Sequence, residues 1–401
     1  MRYMRVPYAQ SVHGEPEIEA VVSVLKGNTA LGPKANEFEK KIATMFGKKF
    51  GVMVNSGSSA NLLAFEVMDL KPGDEVITPL LTFGTVVAPI IQKGLTPVFV
   101  DVEAGTYIVT PESVEAAITP KTKVLMIPSL LGNIPNLEAL KEIAYKHRLW
   151  LVEDSCDTLG GTYKEKPTGE YTHITTTSFY GSHIINAAGG GGMIMVHDAK
   201  LAERLVVLRG WGRQSSLYGE NATSELLENR FTVELEGVPY DNKFVFSEIG
   251  YNFLPLELQA AFGLAQLIRF PQFSIARKRH FADLEIFFRQ YERFFVLPKQ
   301  TPQSATNWLA FPIIIKDSAP FTRRELATYL ENLEIQTRPV FTGNILKQPA
   351  FKNIEHRLAE KAYPNTEAVM RGGLVFACHQ GLTDEQIAFV KESISSFIAK
   401  Y

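Results

Sequence analysis

The sequence predicts an α/β fold: a mostly parallel, seven-stranded sheet with helices on both faces, followed by a smaller C-terminal α+β domain. Three observations carry that expectation. From about residue 50, short apolar runs recur, namely FGVMVNS, DEVITPL, LTPVFVD, KVLMIPSL, LWLVEDS, ITTTSFY and GMIMVHD, several of them rich in Val and Ile. The segments between them carry apolar residues at helical spacing, as in NLEALKEIAYKH. After about residue 265 the texture changes to long helix-like stretches with few strands.

Near-continuous apolar runs alternating with helical segments are what a sheet covered on both faces requires. Beyond residue 265, IARKRHFADLEIFFRQYERFF reads as one long helix and LAFPIIIK as a strand. TRRELATYLENLE and DEQIAFVKESISSFIAK read as further helices. The expected division is a large domain over 1–265, with an N-terminal arm, and a small domain over 266–401. Residues 211–246 have no clean period and are expected to form a long functional loop.

The chain has 401 residues, enough for a large core and two domains. Apolar residues make up 45% and charged residues 21%, the balance of a soluble globular protein. A net charge of −2 leaves no electrostatic footprint for nucleic acid or an anionic membrane. No apolar run approaches the roughly 20 residues of a membrane span. The start, MRYMRVPYAQ, has no signal-like apolar region, so a cytoplasmic location is expected. Two cysteines, Cys156 and Cys378, exclude a disulfide framework or a four-thiolate metal site, and no metal is expected.

In parallel sheets ligands gather beyond the C-terminal ends of the strands. Asn55-Ser56-Gly57, Thr82-Phe83, Glu153-Asp154 and Ser178 each follow an apolar run there. In NSGSSAN, the residues Gly57, Ser58 and Ser59 open a helix whose free N–H groups either bind a phosphate or are simply capped. Asp154 either holds a protonated ring nitrogen, caps a helix or makes a loop salt bridge. Phe83 either stacks on a planar ring or belongs to the core. Ser178 can donate to a phosphate, and His183 follows it by five positions.

The ordered set resembles the sugar aminotransferases of the aspartate aminotransferase superfamily, the fold-type I pyridoxal phosphate enzymes. The stretches that carry it are ALGPKANEFEKKIATMFG, NSGSSAN, VEDSCDTLGGTY, TTTSFYGSH and IGYNFLPLELQAAFGLAQL, and the similarity runs from about residue 8 to the C-terminus. It implies a phosphate held by Gly57, Ser58, Ser59 and Ser178, a ring covered by Phe83, and Asp154 on the ring nitrogen. Asp157 supports the ring face in the same arrangement. Asn252 matches the residue that reaches the cofactor phosphate of the neighbouring subunit, which implies a homodimer with shared active sites.

One position departs. Where these aminotransferases carry the lysine that bonds the cofactor, this chain has His183, and no lysine lies between Lys166 and Lys200. Imidazole has no primary amine, but it is a competent general base near neutral pH. A branch of the family with this histidine is the 3-dehydratases of nucleotide-linked 4-keto-6-deoxyhexoses, lyases of deoxysugar and lipopolysaccharide O-antigen biosynthesis. The chain is similar to that branch in SFY followed two residues later by His, and in TRPVFTGNILKQP. The branch implies pyridoxal 5′-phosphate and pyridoxamine 5′-phosphate as the two cofactor forms, with His183 as the base and loss of the sugar's C3 hydroxyl.

One type within the branch uses a [2Fe–2S] cluster fed by a reductase. Such a cluster takes four thiolates, and two cysteines cannot supply them. The other type, that of GDP-4-keto-6-deoxymannose, needs no reductase and draws its amine from L-glutamate. The expectation is the second mode, with nucleotide and hexose left open. An aminotransferase lacking its lysine and a non-catalytic nucleotide-sugar binder are the alternatives. Arg338 and Asn344, in RPVFTGN, are either substrate contacts or parts of a structural loop. Phe244 either reaches the neighbouring site or packs in a core. His13, His147, His173 and His280 are expected at the surface or in packing. The run Gly189–Gly192 departs from the family pattern, in which an acidic residue precedes two glycines, and nothing in the sequence explains it.

Overall fold

The computed structural model describes residues 4–218 and 226–401. Seven strands build the large sheet: β1 (Phe50–Val54), β2 (Glu75–Pro79), β3 (Thr96–Val100), β4 (Thr122–Pro128), β5 (Trp150–Asp154), β6 (Ile174–Ser178) and β7 (Gly192–Val196). They correspond to the seven apolar runs. Their order across the sheet is β1-β7-β6-β5-β4-β2-β3, and the two-residue strand Arg357–Leu358 adds an eighth member beside β3. β2, β3, β4, β5, β6 and the added strand are parallel, whereas β7 is antiparallel to both β1 and β6. β2 and β7 are buried along their whole length, as strands covered on both faces must be.

Because β7 reverses direction, its first residue, Gly192, lies opposite both Val54 and Ser178, the last residues of β1 and β6. The same edge of the sheet carries Pro128 paired with Asp154, the ends of β4 and β5. Strand ends and the loops after them therefore converge on one edge. The helix Gly57–Glu66 starts there, two residues after β1.

The helix expected from residue 275 begins earlier, and spans Glu257–Arg289 with Pro271 inside it. The division expected at residue 265 falls within this helix. Its first half packs against the helices Glu15–Lys26 and Pro33–Met45. Its far end enters a second hydrophobic core with Phe311, Phe376, Leu326, Ile387 and Phe397, joined by Val6 from the N-terminal arm. The segment 211–246 forms short turns of helix and an exposed hairpin, Val233–Leu235 with Val238–Tyr240. Residues 219–225 of that expected loop lie outside the described residues.

The short strand Arg357–Leu358 is fixed by charge. The Arg357 guanidinium grips the buried Glu75 carboxylate through both oxygens, at 2.9 Å each. Two hydroxyls, Thr119 and Thr122, donate to the same carboxylate. Among the described residues no helix is long and apolar enough to cross a membrane.

Candidate active site

A cavity of about 370 Å³ opens at the converged edge. Of the residues expected at a site, Gly57, Ser58, Phe83, Asp154, Asp157, Ser178 and His183 all line it.

One corner is a helix start set against a strand end. Ser56 caps the helix Gly57–Glu66, its Oγ accepting from the Ser59 N–H at 3.1 Å. The Ala60 N–H bonds back to the Ser56 carbonyl, so the first intrahelical acceptor is already taken. By helix geometry the N–H groups of Gly57 and Ser58 have no carbonyl a turn earlier, which is the arrangement that binds phosphate. Gly57 has to be glycine. A Cβ there would lie 2.7 Å from Ser178 Cβ and 2.9 Å from Cys156 Sγ.

The glycine run finds its account here. A Cβ on Gly192 would sit 2.3–2.4 Å from the Ser56–Gly57 backbone, so β7 can pass the helix start only as bare main chain. Gly191 has φ +113° and donates its N–H to the Asn55 carbonyl at 3.0 Å. Gly190 and Gly191 form part of the cavity wall.

The floor carries two carboxylates. Asp154, at the end of β5, is buried. Its oxygens accept from the Asn61 side-chain amide at 2.7 Å and from the Cys156 N–H at 3.0 Å. Asp157 accepts from the Leu131 N–H at 2.9 Å. Burial and then the charge of Asp154 push the Asp157 carboxyl up to about 7. The Cys156 thiol is driven well above its ordinary value by burial and by the same two carboxylates, so it stays protonated.

His183 stands across from them. Its Nδ1 lies 3.3 Å from the Ser178 carbonyl oxygen. A carbonyl only accepts, so the tautomer that this bond favours has its proton on Nδ1 and its lone pair on Nε2. Burial pulls the imidazole down to about 4, against opposing bonds to the Ser178 and Cys156 backbone. At neutral pH the ring is therefore a free base. Tyr180 meets it edge-on at 6.1 Å.

The mouth is aromatic. Phe83 is 51% exposed and faces the cavity, and Phe341 meets it edge-on at 6.0 Å and 76°. Phe341 follows Val340 in a turn closed by the Gly343 N–H on the Val340 carbonyl at 3.0 Å. Its φ is +42°, a position that turns reserve for glycine, at a cost of about 1–3 kcal/mol for other residues.

Five expected residues lie elsewhere. Ser59 is buried, its hydroxyl donating to Asn55 at 2.6 Å, and so it ties the helix start to the end of β1 without being among the residues that line the cavity. Asn344 is buried: its amide donates to Glu367 at 2.7 Å and its carbonyl caps the following turn at the Leu346 N–H. Arg338 turns outward, donating to its neighbour's carbonyl at 2.6 Å and lying 3.7 Å from Glu331. Phe244 and Asn252 are exposed and absent from this chain's cavity. Conversely, Ser129, Cys156, Tyr180 and Phe341 line the cavity and were not singled out as contacts. Tyr180 sits within the quoted SFYGSH stretch, and an aromatic two residues after Ser178 was the available signal.

With this geometry in hand, residues 12–395 match the DegT/DnrJ/EryC1/StrS aminotransferase family. The chain belongs to that family. It is 39% identical, over 96% of its length and 85% of the relative's, to a dTDP-4-dehydro-2,6-dideoxy-D-glucose 3-dehydratase of Saccharopolyspora spinosa. It is 38% identical to the lipopolysaccharide biosynthesis protein RfbH of Salmonella typhimurium, covering 98% of this chain and 91% of that one. A solved structure of GDP-4-keto-6-deoxymannose-3-dehydratase with a trapped PLP–glutamate geminal diamine superposes with a TM-score of 0.86 at 29% identity, over 97% of this chain and 99% of the other.

This member of the DegT/DnrJ/EryC1/StrS family has the side chains a pyridoxal phosphate cofactor needs. The bare backbone of Gly57 and Gly192 lets the helix start, the end of β6 and β7 pack together at the cavity, where a single methyl group would force them apart. Asp154 is a carboxylate anchored by Asn61 that could take a ring nitrogen, and Phe83 is an exposed aromatic in the same cavity. The residues fit the group.

Proposed function

We propose that the chain is a pyridoxamine/pyridoxal phosphate-dependent 3-dehydratase of a nucleotide-linked 4-keto-6-deoxyhexose, working without an iron–sulfur cluster. The observation that carries this reading is His183: a neutral imidazole lines the cavity, and no lysine does so among the described residues. An aminotransferase of the ordinary kind needs that lysine. When bound, the cofactor's pyridoxamine form supplies the missing primary amine and a ring that accepts electrons.

The chain's own residues do the rest. The helix start at Gly57 and Ser58, with Ser178, holds the phosphate. Asp154 keeps the ring nitrogen protonated, and Asn61 keeps Asp154 in place. His183 Nε2 exchanges a proton at the carbon that carries the cofactor's amine. Phe83, Tyr180 and Phe341 exclude water from the reacting end. Loss of the C3 hydroxyl is the outcome that this amine-plus-base pairing favours over a stable aminosugar.

L-Glutamate as amino donor is supported by the glutamate adduct captured in the structurally similar dehydratase. Two cysteines in the whole chain support the absence of a cluster and of a reductase. Asn252 and Phe244, exposed and absent from their own chain's cavity, are proposed to reach the site of a second copy in a homodimer; their exposure supports this reading. In this reading the chain is a cytoplasmic enzyme, with a cofactor-binding unit over 1–265 and a smaller unit over 266–401.

The test is mass spectrometry of the protein incubated with pyridoxal phosphate, glutamate and a panel of GDP-, CDP- and dTDP-linked 4-keto-6-deoxyhexoses. The expected result is loss of oxygen at C3 with ammonia release and no added reductase. A stable 4-amino sugar would overturn the dehydratase in favour of transamination. Binding of nucleotide sugar without turnover would overturn it in favour of a non-catalytic binder.

A further inference from the structure

The segment Arg338–Asn344 reaches the cavity through its aromatic residue, and not through the polar residues that first draw attention. Three ties hold it over the end of β2. Leu81 and Asn344 form an antiparallel bridge, and the Ile345 N–H donates to the Leu80 carbonyl at 3.3 Å. The Thr342 hydroxyl donates to the Thr82 carbonyl at 2.6 Å, directly before Phe83. Gln348 in turn donates to the Thr342 carbonyl at 2.9 Å. Within this lacing Phe341 keeps a left-handed backbone, φ +42°, that glycine would adopt without strain. Its ring meets Phe83 edge to face at 6.0 Å. Phe83 itself is half exposed, so Phe341 supplies an aromatic contact on a side chain that the core does not enclose.

We infer that Phe341 is a positioning residue that holds the Phe83 ring over the cofactor. This rests on the reading of the cavity as a pyridoxal phosphate site. A T-shaped contact between two aromatic rings is directional, so it fixes the plane of Phe83 in a way that an aliphatic side chain of similar bulk cannot. Backbone strain at a cavity wall is retained where the side chain it presents is needed. Phe341 acts on the bound group through Phe83, and that effect is therefore conditional on Phe83.

The experiment is a pyridoxal phosphate titration of the cofactor-free full-length protein, followed by absorbance and by induced circular dichroism of the cofactor band, with thermal unfolding alongside. Phe341→Leu keeps apolar bulk against the core below it and removes the aromatic edge. It should raise the dissociation constant about threefold to tenfold and weaken the induced band. Phe341→Tyr should restore both. In a Phe83→Leu background the further change Phe341→Leu should cost less than about twofold, because the residue it acts through is gone. Unchanged affinity in Phe341→Leu, or an equal loss in both backgrounds, would overturn the inference. Wild-type protein that takes up no pyridoxal phosphate in the same titration would overturn the reading of the cavity, and this inference with it.

Discussion

Replacing Gly57 by alanine sets local propensity against packing, and the two predict opposite signs. Gly57 is the first residue of its helix, and alanine is favoured over glycine in helices by up to about 1 kcal/mol. The added methyl would sit 2.7 Å from Ser178 Cβ and 2.9 Å from Cys156 Sγ. Carbon atoms rest at about 3.5–4.0 Å, so the overlap approaches about 1 Å. Neither neighbour can yield cheaply, since Ser178 Cβ is fixed to the end of β6 and Cys156 is walled in by Asp154. Overpacking of this kind costs about 1–3 kcal/mol, so the net effect is a loss of about 1–2 kcal/mol. Differential scanning calorimetry of the cofactor-free protein should show it as a lower unfolding temperature. If the strain is relieved by moving the helix start away from β6, the phosphate corner opens and the dissociation constant for pyridoxal phosphate rises about tenfold or more. Ser178→Gly in the same background removes the atom in conflict, and should return about 1 kcal/mol of the lost stability in a double-mutant cycle. A Gly57→Ala protein that melts higher and binds the cofactor as before would refute the packing argument.

Two further predictions concern titration. His183→Asn should leave cofactor binding intact and lower turnover by about 10²–10⁴-fold, read in single-turnover assays. With the imidazole pulled down to about 4, its base form is full above pH 5, so the wild-type rate should show no His183 limb between pH 6 and 8; a limb near 6.5 that vanishes in the variant would contradict this. Asp157→Asn mimics the protonated carboxyl. The folded value, about 7, lies above the unfolded one, so ionisation of Asp157 burdens the cofactor-free fold progressively from about pH 4 to pH 7 and steadily above that. The variant's stability advantage should grow over that window, and equal melting differences at pH 5 and pH 7.5 would exclude the mechanism.

Much of the fold was legible because buried parallel strands write themselves as apolar runs, and all seven runs became strands. That the helix start at Gly57, Asp154 and His183 gather at one cavity was legible for a related reason: strand ends fix where the residues that follow β1, β5 and β6 emerge. Other features left no such mark. Arg357–Leu358 is two residues long, and its pairing depends on a charge contact with Glu75, 282 positions away. Pro271 conceals the first half of the long helix, since an interior proline ordinarily argues for a boundary. In the segment Arg338–Asn344, residue type pointed to the polar members. The structure turns Asn344 inward to Glu367 and Arg338 outward, and brings in Phe341, whose placement follows from a backbone angle that no side-chain pattern encodes. Gly192 is explained only by what lies beside it in space.

The lacing of residues 338–348 over the end of β2 also bears on the order in which the enzyme matures. Thr342 and Thr82 are 260 positions apart, so during synthesis most of the chain leaves the ribosome before the two meet. The phosphate corner, drawn from residues 55–59 and 178–192, can assemble while the aromatic rim still lacks one side. The cavity's aromatic rim is therefore closed by a late-made segment, and its completion waits on a contact between two distant parts of the chain.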